Sequence, residues 1–176
     1  VAKVRSRSLV IDASIARAAG DTSMHPTSKC CREFLQSVLE ICHRAVMSMP
    51  IKQEWDKHQS HFARQWRIQM VARKKLEILN LVSHHSLESR LQNVESNPSL
   101  SAIMEKDRIL LEAALCSENR IASLDEQVRN HFRLCSIEIM EIRKICWVNP
   151  TLVEEEVLDW LKSGAPIDKR RTLGSS

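Results

Sequence analysis

Four short apolar runs punctuate the sequence, separated by longer stretches of helical periodicity, and this order constrains the fold more than any other feature. The runs are Leu9-Val10-Ile11, Val46 to Met49, "RIAS" continued by Leu124, and "KICWV". Each is too short for a helix and apolar enough for a strand covered on both faces. Strands separated by helical segments cannot close as tight hairpins; they run parallel and need crossovers. The expectation is an α/β fold with a mainly parallel sheet.

"ASIARAAG" reads as a helix stopped by Gly20, and "DTSMHPTS" as a loop. From Ser28 to about Ala45 the positions Cys31, Phe34, Leu35, Val38, Leu39 and Cys42 recur at three and four, giving one buried face. Pro50 suits the first turn of a helix that carries Trp55, Phe62, Trp66 and Met70 and is expected to run to about Lys74. Leu76 to Leu91 keeps a helical pattern, "QNVESNPSLS" reads as a mobile loop, and Ile103 to Cys116 as a helix. "DEQVRNHF" is a helix opened by acids. "TLVEEEVLDWLKSG" is a closing helix capped by Thr151 and ended by Gly164, and the basic tail "KRRTLGSS" is expected to fray.

A chain of 176 residues that is 43% apolar and 27% charged is expected to form one domain with a real core. The net charge of +4 tilts towards an anionic partner without the footprint of a dedicated nucleic-acid binder. Six cysteines without a CxxC read as reduced thiols of a cytosolic protein, chiefly buried. No apolar run approaches the roughly eighteen residues of a membrane span, and the start lacks a signal-peptide core, so a soluble, cytoplasmic protein is expected. Three glycines supply no phosphate-cradling loop, and there is no GxSxG elbow.

In "RSRSLVIDAS" a lone carboxylate, Asp12, closes the first apolar run. A charge at the rim of a core needs something to offset its cost, and in parallel sheets ligands gather outside the carboxyl ends of the strands. Asp125 closes the third run, and the second leads through Pro50 to Glu54. Asp107 in "EKDRILLEAAL" lies one turn before the apolar stripe Leu110, Ala113, Ala114. Four carboxylates together are unfavourable unless cations join them. Oxygen-only donors select Mg²⁺ or Mn²⁺, which can activate water for phosphodiester hydrolysis. Taken singly, each acid also reads as an ordinary helix N-cap.

"LVIDASIA", "MPIKQEWDKH", "KDRILLEAAL" and "RIASLDEQVRNHF", in this order, resemble the PIN-domain nucleases from about Ser8 to Pro150. The resemblance implies a Rossmann-like three-layer α/β/α sandwich over residues 1–150, with 151–176 adding a C-terminal helix and tail. It implies that Asp12, Glu54, Asp107 and Asp125 are the acids that hold metal and activate water, supported by Ser14 and Ser123. It further implies an endoribonuclease cutting single-stranded RNA, as do the family's toxins of toxin–antitoxin pairs, with an antitoxin-like protein partner and a homo-oligomeric assembly. Other members of the family act in RNA processing or are inactive scaffolds, so a catalytically silent interaction or RNA-binding module is the rival reading. A DNA-directed nuclease is a third, since nothing in the sequence reads a 2′-hydroxyl. The segment Leu76 to Leu91 and the C-terminal helix exceed the compact toxin members.

Lys57, Arg64, Arg67 and Lys74 fall on one side of one continuous helix, within an arc of about 100°. They form either a phosphate-contacting ridge, with Arg73 and Lys75 nearby, or a solvated face. Glu54, His58 and His61 share a helical spacing that also fits a transition-metal site, whereas the adjacent His84 and His85 point apart. Trp55, Trp66, Trp147 and Trp160 read either as core or as base-stacking platforms.

Overall fold

β1 (Ser8–Ile11) is buried along its whole length and pairs in parallel on both sides, with Val10 opposite Val46 of β2 (Arg44–Ser48) and Ile121 of β4 (Arg120–Ala122). The computed structural model describes residues 5–20, 25–80, 87, 89–91 and 98–175, with 98–106 described in their backbone alone. β3 (Leu76–Leu79) and β5 (Cys146–Val148) complete a five-stranded, all-parallel sheet in the order β3-β2-β1-β4-β5. The fold is α/β with the Rossmann-like three-layer arrangement. Right-handed crossovers place α1 (Ala13–Ala18), α2 (Pro26–Glu40), α3 (Met49–His58) and α4 (His61–Ala72) on one face, where α2 packs on α1 and α4. On the other face α5 (Pro98–Leu115) lies across β1, β2 and β4, followed by α6 (Glu126–Cys135). α7 (Val157–Lys162) returns to pack on α2. No helix among the described residues is long and apolar enough to cross a membrane.

The central strands are continuous apolar runs because both of their faces are covered. β3 is different. It stands at the sheet edge with Glu77 and Ile78 exposed, and its "LEIL" corrects the helix expected from Leu76. Only Leu87 and residues 89–91 of the remaining stretch to Leu91 are described, as helix, and His84 and His85 lie outside the described residues. The expected loop after Leu91 falls outside them up to residue 97, but its last four residues begin α5, with Pro98 at the first helical position.

The helix expected to run to Lys74 is two helices. Gln59 is extended, and Ser60 caps α4 by accepting from the Ala63 amide (3.1 Å) while its hydroxyl donates to the Ala19 carbonyl. The tryptophans are core: Trp55 and Trp66 stack with centroids 5.7 Å apart, and their indoles donate to the carbonyls of Ile11 (2.8 Å) and Leu35 (2.6 Å). Trp147 and Trp160 are buried too. None of the six cysteines forms a disulfide, and three of them are buried, while Cys42 and Cys116 are exposed rather than core. Burial pushes the Cys31 thiol up to about 12 and that of Cys146 up to about 11.

The closing helix starts at Val157, not near Thr151, after a 3-10 turn (Val153–Glu155) and a left-handed Glu156. The tail does not fray. Its amides at Leu173 and Gly174 donate to Ile145 (2.9 Å) and Arg143 (3.1 Å), and Thr172 bridges Cys146 in antiparallel fashion. Leu173 and Arg171 are buried, and a Cβ on Gly174 would sit 2.7 Å from that of Arg143, so only glycine allows this approach.

Candidate functional site

The strand order reverses between β1 and β4, whose following helices leave to opposite faces, and a crevice opens at the carboxyl ends of these two strands. Asp12 follows β1 directly, and its amide donates to Ala122 at the end of β4 (2.9 Å). It occupies the cap position of α1 without making a capping bond. Its Oδ2 instead accepts from the hydroxyls of Ser14 and Ser123, the latter at 2.8 Å. Each serine also accepts an amide of the β4 loop, Ser14 from Leu124 and Ser123 from Asp125, both at 3.2 Å. The two hydroxyls therefore tie the β1 and β4 loops together and fix the Asp12 carboxylate in one orientation.

Asp125 does cap a helix. Its Oδ1 accepts from the Val128 amide (2.9 Å) at the start of α6, so the plain N-cap reading holds for this residue and fails for Asp12. Glu54, on α3, is half-buried and lies 2.9 Å from the Lys57 ammonium and 3.5 Å from His58 Nε2. Asp107, on α5, is half-buried. All four acids, contributed by the β1 loop, α3, α5 and the β4 loop, line one cavity of about 550 Å³ together with Ser14, Ile51 and Leu110. Arg17 and His58 line it as well, and neither was singled out as part of the acidic site from sequence. Arg17 lies three residues after Ser14 on α1, a spacing that puts the two on one face. Among the described residues no three His, Cys, Asp or Glu side chains are grouped so that they could together hold one metal ion.

The basic ridge does not survive the break at Ser60. Lys57 sits on α3 against Glu54, Arg67 on α4 pairs with Asp56 (2.6 Å), Arg64 is exposed on α4, and Lys74 follows α4 in a left-handed conformation. Hydrogen bonds from Lys52 and Arg67 hold the Asp56 carboxyl below the usual carboxylate range. The same break separates His61, at the start of α4, from Glu54 and His58 on α3, so the shared face expected for a transition-metal set is not formed.

Sequence reading also missed a second cavity, of about 340 Å³, at the same end of the sheet. Arg129 and Arg133 of α6 line it with Arg170 and Arg171 of the folded tail. Its carboxylates are largely paired: Glu155 bonds Arg129 and the Asn149 amide, and Glu126 accepts from Asn149 Nδ2 (3.0 Å). No protein-family model, no curated protein and no solved structure matches this chain.

Proposed function

We propose that this chain is a metal-dependent endoribonuclease that hydrolyses phosphodiester bonds of single-stranded RNA, with Asp12, Glu54, Asp107 and Asp125 as its acids and Mg²⁺ or Mn²⁺ as its ion. The observation that carries the reading is the convergence of carboxylates from four elements on one cavity at the β1–β4 crevice. Such a set gains most from a cation. Oxygen donors select a hard one, and Mg²⁺ commonly takes only one or two carboxylates, with water and substrate phosphate filling its shell. When bound, the ion supplies Lewis-acid activation of water and offsets charge on the phosphate.

The protein's own groups then have distinct tasks. Ser14 and Ser123 occupy Oδ2 of Asp12, which leaves Oδ1 for a ligand, and the Val128 amide occupies Oδ1 of Asp125, which leaves Oδ2. Arg17, exposed on the lining, is suited to meet a phosphate of the strand. The resemblance of the four quoted motifs to PIN-domain nucleases supports the same reading. It extends the proposal to a cytoplasmic toxin with an antitoxin-like partner.

Asp12→Asn tests it. Mg²⁺-dependent cleavage of single-stranded RNA is expected to vanish with the circular dichroism unchanged, and retained cleavage overturns the proposal. The same assay on single-stranded DNA separates a DNA-directed enzyme. The lack of a three-residue metal group among the described residues favours one second reading, a catalytically silent RNA-binding module, which yields no product in either metal.

A further inference from the structure

We propose that the arginine-lined cavity beside the acidic one is a subsite for a backbone phosphate of the strand that the acids are proposed to cut, an inference that rests on the nucleic-acid reading above. The two cavities flank the first turn of α6, where Asp125 lines one and its neighbour Glu126 the other. A strand crossing the β1–β4 crevice towards β5 passes over both.

The guanidinium groups are not all spoken for. Arg129 is committed to Glu155 and, at 3.4 Å, to Glu126, while Arg170 and Arg171 are paired with Asp168. Arg133 has no ion pair among the described residues, and burial together with the nearby Arg129 disfavours its charge. The Nε–H groups of Arg129, Arg133 and Arg171 are all buried without a hydrogen-bond partner among the described residues. Four guanidinium groups around one cavity, that of Arg133 without an ion pair among the described residues, carry a like-charge cost that an oxygen-rich anion removes. A phosphate suits them because its oxygens accept forked guanidinium bonds. Glu154 is the opposing group: it lines the cavity, is exposed and has no ion pair among the described residues.

The test is fluorescence anisotropy with a short labelled single-stranded RNA in EDTA, run beside Mg²⁺-dependent cleavage by the same preparations. Arg133→Gln is expected to weaken binding roughly tenfold and to lower the slope of log Kd against log salt by about one. Glu154→Gln is expected to tighten it by about threefold. If Arg133→Gln does not fold, Arg170→Gln and Glu154→Gln carry the test, since both positions are exposed. Cleavage by the unmodified protein with unaltered RNA affinity in the variants overturns the subsite and leaves the nuclease reading standing. No cleavage, but weakened binding in the arginine variants, supports the subsite and overturns the nuclease reading. Inorganic phosphate competing as well as RNA at equal concentration shows a free-anion site and overturns the strand assignment.

Discussion

The two cavities at the carboxyl edge of the sheet are built from opposite materials. At β1–β4 the acids come from four elements, and among the described residues Asp12 and Asp125 are held by hydroxyl and amide donors and not by cations. At β5 and the tail the charges are chiefly cationic and mostly answered by carboxylates, including the buried Arg129–Glu155 pair. A carboxylate held by neutral donors keeps its charge available to a ligand. A buried ion pair spends its charge internally. Conserving geometry therefore matters in the first cavity and conserving charge balance in the second.

The largest expected effect belongs to the second cavity: Arg129→Met leaves Glu155 buried and unpaired and should cost about 3–5 kcal/mol in urea unfolding. A cost below about 1 kcal/mol would show that water already reaches the pair and would erase the contrast. Ser123→Ala comes next. It removes a fully buried hydroxyl that partners both the Asp125 amide and Oδ2 of the half-buried Asp12, for about 1 kcal/mol and a loss of cleavage.

A control lies away from both cavities. Buried His43 accepts the Arg7 amide at Nδ1 (3.0 Å) and donates from Nε2 to the Leu161 carbonyl (3.0 Å), and burial holds its pKa below the ordinary histidine value. The unfolded chain therefore binds the proton more readily. The stabilisation is complete above about pH 6.5 and is lost as pH falls through the folded value. His43→Gln should flatten that part of the stability profile, and a profile unchanged by the substitution would place the titration elsewhere. The smallest effect is expected of Lys57→Ala, whose partner Glu54 is one-third exposed: a few tenths of a kcal/mol in the same unfolding assay.

What the sequence discloses follows from how each element is covered. β1, β4 and β5 were legible because burial on both faces leaves uninterrupted apolar runs, and Asp12 and Asp125 were legible as the acids that end two of them. β3 was not, since its half-covered "LEIL" carries no strand signature distinct from a helical one. The interruption at Ser60 was hidden because Trp55, Phe62 and Trp66 keep a helical spacing across it, even though a serine three residues before Ala63 was a capping signal in plain view. The arginine cavity was beyond reach. It exists only because Leu173 and Thr172 return to β5, a contact between segments that no local pattern announces.

The indole of Trp55 donates to the carbonyl of Ile11, the residue immediately before Asp12, and stacks on Trp66. The chain thus carries its own optical gauge of the loop that presents the first acid. Coupled indoles on a rigid support give a near-ultraviolet dichroism that responds to small tilts. Occupancy of the crevice by an ion or a strand should therefore register in that band without any added label.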